Sequence, residues 1–397
     1  MKTTDCCCPR PDLKDTPQTA LDDCCPPREK APCCPPPSAA TCYPPRTASP
    51  EIAGYRIEPF VTSWLNTAIG KVPQVATGLN WGDRRGSWAM RWGIGRERYQ
   101  ITPGLYAVGQ PHEQSPLLVC ANYKLSFDCL RAALECENVW LLVIDTKGIN
   151  VWCAAGKGTF GTDEIVRRIK ATKVEQLLGH RQLIVPQLGA PGVAAYQVKQ
   201  QSGFSVCYGP VRASDLKAFF AADKQATPKM RQVTFSLWER VVLTPVEVTM
   251  LRKPILFAAL LLFVLSGIGP DVFTFEAVWQ RGTAAVAAGL AGVITGCILT
   301  PVLLPWLPTR AFASKGALLG LITATVLALG PYQAADIGGI ISLYLLVLAV
   351  SSYTAMNFTG STTFTSPSGV EKEMRIAIPC QSLAILLAAL LWISAAF

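Results

Sequence analysis

Between residues 51 and 250 short apolar runs of strand length alternate with amphipathic stretches. "PLLVCANY" (116–123) predicts a strand. "VWLLVIDT" (139–146) predicts a second strand covered on both faces, because its apolar residues are consecutive and do not alternate with polar ones. "FDCLRAALECE" (127–137) has the spacing of a helix, as does "GTDEIVRRIKAT" (161–172), with Thr162 as N-cap and acidic residues in the first turn. "RQLIVPQL" (181–188), "GFSVCYGP" (203–210) and "RQVTFSLW" (231–238) continue the strands. Strands alternating with helices predict an α/β domain with a mostly parallel, Rossmann- or flavodoxin-like sheet, whose ligands meet the C-terminal ends of the strands.

From Pro254 onward the pattern changes. Apolar windows at about 254–270, 283–304, 316–332, 337–356 and 376–396 are each near the length needed to cross about 30 Å of hydrocarbon. A soluble core could supply one such window; five in succession predict a five-helix, all-α transmembrane domain over 251–397, following the α/β domain of 51–250. Arg252 and Lys253, Arg310 and Lys315, and Lys372 and Arg375 fall in connectors on one side, against Arg281 on the other. Basic connectors stay cytoplasmic, so the N-terminal domain is expected in the cytoplasm and the C-terminus outside the inner membrane. Asp336 lies at the edge of a span, and no charged relay is evident within the spans, which reads as an anchor and docking platform more than a transporter.

Residues 1–50 are Pro- and Cys-rich and cannot bury enough apolar surface to order themselves, so a disordered tail is expected. With no apolar h-region at the start, no secretory signal is expected, which keeps the thiols in a reducing compartment. Cys6, Cys7, Cys8, Cys24, Cys25, Cys33, Cys34 and Cys42 lack the C-x-x-C spacing of a structural zinc or iron–sulfur site. Adjacent thiolates can still capture soft metals; a tail with no specific role is the alternative. The formal charge of +9 needs no nucleic acid: part of it marks the inner membrane face, and the rest could attract an acidic protein.

The chemistry concentrates in "NVWCAAGK" (150–157), directly after the second buried strand. A helix capped by Asn150 would present Cys153 in its first turn, where the helix dipole and the amide donors favour the thiolate, with Lys157 adding positive charge one turn on. Ala154, Ala155 and Gly156 would let a large flat ligand approach the helix. An isolated cysteine in an α/β domain is otherwise a buried filler.

This octet resembles the signature of the HgcA family of mercury-methylating corrinoid proteins, in which a cobalamin-binding domain precedes five membrane helices. "LLVCANYKLSFDCLRAAL", "LLVIDTKGINVWCAAGKGTFGTDEIV", "LIVPQLGAPGVAAYQVKQQSGFSVCYGPVRASDL" and "FSLWERVVLTPVEV" resemble the corrinoid-binding domain shared with the large subunit of the corrinoid iron–sulfur protein of acetyl-CoA synthesis. The likeness covers about residues 55–250. The carbon-fixation relatives share its "AAGK" ending but not the cysteine, and they carry an iron–sulfur segment and a barrel domain with no counterpart here. A Pro/Cys tail is not a feature of the family.

The resemblance implies that Cys153 is the lower axial ligand of cobalt. It also implies that Asn150, Val151, Trp152, Ala154, Ala155, Gly156 and Lys157 surround that ligand, and that Asn122, Tyr123, Ser126, Thr146, Gly148, Gly192, Tyr208, Gly209 and Pro210 border the corrin or its tail. For the glycines and prolines ordinary turn chemistry is the alternative, for Trp152 core packing, and for Lys157 a solvated charge. The histidine motif D-x-H-x-x-G is absent; the two histidines stand in "QPHEQ" and "LGHRQ". A thiolate trans to a methyl group pushes electron density onto the metal, so the carbon leaves with its bonding pair, as the soft electrophile Hg(II) requires. The implied function is a cobalamin-dependent methyltransferase forming methylmercury, fed by a folate-linked methyl donor or its methyltransferase and by a ferredoxin-like iron–sulfur partner of the HgcB type. Two other functions stay open: a corrinoid methyl carrier in one-carbon metabolism, and a non-enzymatic membrane binder of thiophilic metals.

Overall fold

A computed structural model describes residues 58–330, 337–358 and 367–397; the cysteine-rich tail and Asp336 lie outside the described residues. The chain opens with the hairpin β1 (Val61–Thr67) and β2 (Gly70–Val75), helix α1 (Trp81–Arg91) and β3 (Gly104–Val108). Then follow β4 (Leu117–Ala121), α2 (Lys124–Ala133), β5 (Val139–Ile144), the short α3 (Val151–Gly156) and α4 (Thr162–Thr172). The region closes with β6 (Gln182–Val185), α5 (Ala195–Ser202), β7 (Ser205–Tyr208) and α6 (Leu216–Ala221).

These strands form one mixed sheet in the order β1-β2-β3-β5-β4-β6-β7. The parallel part is β5-β4-β6-β7, with Leu141, Leu118, Ile184 and Cys207 in register across it. β3 runs antiparallel to β5, and the β1–β2 hairpin closes that edge. Alternate strand residues feed two cores. Leu117, Val119, Leu142, Ile144, Leu183 and Val185 pack with Phe160, Ile165, Ile169, Val198 and Phe204 on one face, whereas Leu118, Cys120, Leu141, Val143 and Ile184 meet Phe127, Leu134, Leu216 and Phe219 on the other. Burial on both faces is why the central strands read as unbroken apolar runs.

Three sequence expectations are corrected. α2 starts at Lys124, before the expected 127, and ends before Cys136, whose φ of +64° lies in the left-handed region. Gly161, not Thr162, is the N-cap of α4; the Thr162 hydroxyl accepts a hydrogen bond from the Ala194 amide at 2.9 Å. The stretch 231–238 is not a strand: Phe235 sits at φ +48°, and Ser236 with Glu239 forms a reciprocal capping box that starts helix α7 (Leu237–Val241).

Helices α8 (Thr244–Met250) and α9 (Arg252–Leu265) follow. Among the described residues four helices are long and apolar enough to span a membrane: Phe275–Trp306, Phe312–Leu329, Ile337–Asn357 and Gly369–Ser394. The expected first span, 254–270, is shorter than anticipated. α9 ends at Leu265 after 14 residues, about 21 Å of helix against about 30 Å of hydrocarbon, and makes a fifth crossing only together with Leu237–Met250, from which it is bent by 56°. Polar contacts join the spans, among them Ser351 Oγ to the Gly316 carbonyl at 2.7 Å and Gln381 Nε2 to Ser352 Oγ at 2.7 Å. Arg240 ties the α/β region to this bundle: it donates to the carbonyls of Phe235 (2.9 Å) and Val302 (3.1 Å) and lies over the Trp306 ring. Lys315, expected as a free connector charge, is buried and donates to the Leu304 carbonyl at 2.9 Å.

Candidate functional site

Strand order reverses between β4 and β6. From β4 the chain passes through α2 to β5 on one side; from β5 it crosses over through α4 to β6 on the other. Loops leaving the C-terminal ends of β4 and β6 therefore diverge and open a crevice. A cleft of about 360 Å³ occupies that place, lined by Leu118 and Cys120 of β4, Ser126, Cys129 and Leu130 of α2, and Ile184, Pro186 and Leu188 at the end of β6. Gly209 to Ala213 after β7 and Asn150, Val151 and Trp152 at the start of α3 complete its wall.

α3 is held over the crevice by a polar bracket. The Asn122 carboxamide, buried at the end of β4, accepts from the Thr146 amide (3.0 Å) and the Gly148 amide (3.0 Å), and donates to Asp145 Oδ1 at 3.2 Å. Thr146 Oγ1 lies within hydrogen-bond distance of Asn122 Oδ1 (2.9 Å) and the Ile149 carbonyl (2.7 Å). From the far side Glu164 accepts the Asp145 amide at 2.9 Å. The β5–α3 loop is thus fixed from two directions, which aims the cap helix.

Asn150 caps α3 as expected from its residue type, and its Oδ1 accepts from the Cys153 amide at 2.9 Å. Cys153 is exposed, and so are Gly156 and Lys157 on the same side of the helix. Burial raises the Tyr123 hydroxyl above its ordinary value, an effect that Arg96 and Arg91 partly offset.

The expected site residues divide into groups. Ser126, Asn150, Val151, Trp152, Gly209 and Pro210 line the cleft, and Asn122, Thr146 and Gly148 form the bracket. Ala154 and Ala155 are turned inward into the core, so their smallness serves the helix's own packing, not the approach of a ligand. Gly192 lies on the inner side of the helix: a Cβ there would stand 2.2 Å from the Phe160 carbonyl oxygen and 3.1 Å from Ala155 Cα. Tyr208 donates to the Val193 carbonyl at 2.8 Å and packs on the core, and Tyr123 is a buried core residue. Gly192→Ala should push α3 off its seat at a cost of about 1–3 kcal/mol. Faster amide exchange over 151–157 in the full-length chain would register this; unchanged exchange would count against the packing account.

Two residues in or beside the cleft were not singled out by the sequence. Gln187, between the lining residues Pro186 and Leu188, keeps a buried Oε1 with no hydrogen-bond partner among the described residues. Arg212 lines the cleft while pairing with Glu239 of α7 at 2.8 Å, so the cleft wall is coupled to the connector leading into the spans. Neither residue belongs to a recognisable motif. The capping box "SLWE" at 236–239 is the one local signal that could have located Glu239.

Residues 95–220 match the model of the CO dehydrogenase/acetyl-CoA synthase delta subunit family. Among curated proteins, the acetyl-CoA decarbonylase/synthase complex subunit gamma of Methanopyrus kandleri is 35% identical over 126 residues, covering 31% of this chain and 27% of the relative. The subunit of the same name from Archaeoglobus fulgidus is 29% identical over 136 residues, 34% of this chain and 28% of its own length. The corrinoid/iron-sulfur protein large subunit of Moorella thermoacetica is 28% identical over 126 residues, 31% of this chain and 28% of the relative. The α/β region is therefore related to a corrinoid protein domain, and the matched segment spans little more than a quarter of each relative.

Proposed function

We propose that this chain is a membrane-anchored corrinoid methyltransferase whose α/β domain, residues 51–250, holds cobalamin and delivers a methyl group to Hg(II), forming methylmercury. The observation that carries this reading is Cys153, an exposed thiol on a rigidly bracketed helix beside the cleft at the switch point. The residues present fit a corrinoid. The cleft is lined mostly by apolar side chains and its cap helix is fixed from two sides, as a large, flat, mostly apolar ring requires.

When bound, the corrinoid supplies a cobalt that carries the methyl group. Cys153 would hold the cobalt of that group, and its thiolate, a strong anionic donor, would favour release of the methyl carbon with its bonding pair. Asn150 fixes the turn from which that sulfur projects. Val151, Trp152, Ser126, Gly209 and Pro210 border the ring, and Asn122, Thr146 and Gly148 keep the helix from yielding. The exposure of Cys153 leaves a path for a large ligand and for a soft electrophile. A folate-linked methyl donor and a ferredoxin-like iron–sulfur protein would recharge and reduce the cofactor. In this reading the α/β domain lies on the cytoplasmic side, the side the basic connectors favour, and the cysteines of the tail would capture mercury.

A second reading, a methyl carrier of acetyl-CoA metabolism, is favoured by the names of the relatives. Cys153 speaks for mercury, since a strong anionic donor suits carbanion transfer to a soft cation. Reconstitution of the detergent-solubilised full-length chain with cobalamin should give a corrinoid absorption spectrum that shifts in Cys153→Ala. A colourless protein would refute corrinoid binding, and a spectrum indifferent to the substitution would remove the ligand assignment and favour the carrier.

A further inference from the structure

α1 carries its aromatic residues on the wrong side for a soluble helix. Asp83 and Met90 face inward, whereas Trp81, Arg85, Trp88 and Trp92 recur at spacings of four, three and four and so share one outward stripe. The three tryptophans are 63%, 59% and 53% exposed, and Ile94 just beyond is 64% exposed. Trp81 and Trp88 meet edge to face at 5.8 Å, which confirms the common face. Between residues 80 and 99 the sequence places Arg84, Arg85, Arg91, Arg96 and Arg98 against Asp83 and Glu97, and Asp83 is turned inward to Lys124 and Arg131.

The same segment touches the chain where it enters the apolar helices. A Cβ on Gly93 would stand 3.0 Å from Thr249 Oγ1 and 3.6 Å from Val246 of α8. Thr249 precedes Arg252, the first residue of α9, by three positions, about 4.5 Å along a helix. α9 in turn exposes Leu256, Phe257 and Leu260. If α9 begins a crossing, Trp92 and Ile94, which flank Gly93, would lie near the level where a bilayer's headgroups give way to hydrocarbon.

We infer that α1 and the turn after it form an interfacial anchor, its tryptophan stripe inserted among the headgroups and its arginines paired with anionic lipid. Tryptophan prefers that depth, and each basic side chain near an anionic surface adds attraction. An acidic protein would use the arginines but leaves three aligned tryptophans unexplained, and their continuity with α8 and α9 favours lipid. The anchor would hold α2, the cleft wall to which α1 docks through Asp83, Lys124 and Arg131, at a set distance from the membrane. The inference rests on reading the apolar helices as membrane spans.

Hydroxyl-radical footprinting of the full-length chain tests it, in nanodiscs of phosphatidylglycerol and in nanodiscs of phosphatidylcholine. Oxidation of Trp81, Trp88 and Trp92 should be about fivefold slower in the anionic discs, what one arginine near an anionic surface contributes. Tyr196, 75% exposed on α5, should not change and serves as the control. The triple variant Arg84→Gln, Arg85→Gln, Arg91→Gln should lose the lipid dependence. Equal tryptophan oxidation in the two lipids overturns the anchor, as does protection that arises only when an acidic iron–sulfur protein is added. Should Phe257 oxidise as readily as Tyr196 in both discs, the membrane reading itself fails, which separates the two.

Discussion

Cys153→Ala is expected to lower mercury methylation by about a hundredfold or more, about 2.7 kcal/mol on the barrier, with protein level and melting temperature unchanged. The reason for so clean a separation is structural. Cys153 contributes its backbone amide to the Asn150 cap, and alanine keeps that amide; the thiol itself is exposed and takes no part in the core. Alanine also suits a short helix at least as well as cysteine. What disappears is the sulfur. Cys153→Thr keeps a polar side chain of similar size but a far weaker donor, so it should resemble the alanine variant. Cys129→Ala removes a thiol that lines the cleft on α2 and should leave transfer within severalfold of wild type. The measurement is methylmercury formed by cells expressing the full-length chain with a ferredoxin-like iron–sulfur protein, the proposed partner, normalised to protein. Full activity in Cys153→Thr would show that the residue is not the metal's donor, and the chemistry would revert to the carrier reading.

How far the fold was legible depended on the length and regularity of the signal. The buried strands at 117–121 and 139–144 were plain because both faces are covered, which turns alternation into unbroken apolar runs. The hairpin of β1 and β2 escaped notice because it lies at a sheet edge, where half-exposed residues such as Ser63 and Gln74 dilute the pattern. α1 escaped for the opposite reason: its apolar stripe faces outward, so the usual rule of apolar-inward periodicity has nothing to find. The run 231–238 looked like a strand by composition, but strand propensity lost to the local capping chemistry of Ser236 and Glu239. α9 fell short of a span because apolar composition continues through Ile268 and Gly269 after the helix itself has stopped.

The site was legible where it is local in sequence. Asn150, Val151 and Trp152 cohere in one octet, and the cap geometry follows from a single asparagine. It was illegible where it depends on the sheet's strand order. Arg212 comes to the cleft only because β6 and β7 lie beside β4, which no spacing in the chain expresses. The inward turn of Ala154 and Ala155 is likewise a tertiary fact. Small residues in a signature read as room for a ligand, whereas here they let α3 sit down on Phe160 and Gly192.

Arg131→Met should destabilise the α/β region by about 3–5 kcal/mol, the largest loss expected from a single substitution outside the octet. The Arg131 side chain is fully buried, and its guanidinium is held by polar partners above the Phe60 ring. Nη2 pairs with Asp83 at 2.7 Å, Nε pairs with Asp128 at 2.8 Å, and Nη1 donates to the carbonyls of Ala76 (2.6 Å) and Gly78 (3.0 Å). Lys124 completes the square at 2.7 Å from Asp83 and 2.6 Å from Asp128, with Phe60 beneath both cations. Removing the guanidinium leaves two buried carboxylates to one ammonium and strips two carbonyls of their donor. Burial would raise the Asp83 carboxyl, but the hydrogen bond from Lys124 and the charges of Lys124 and Arg131 outweigh it and hold the group below its ordinary 3.8. The stability Asp83 contributes is therefore present above that value and is lost as pH falls through the lower, folded one. The network matters to function because it sets α2, which carries the Ser126, Cys129 and Leu130 wall of the cleft, and docks α1 to it. Thermal melting of the full-length chain in detergent should show a drop on the order of 10 °C, with cobalamin uptake weakened in parallel. Combining Arg131→Met with Asp83→Asn and Asp128→Asn should recover part of the loss, since the stranded charges go with their partner. A single-variant cost under about 1 kcal/mol would mean that water reaches the square and that the wall of the cleft is held by packing alone.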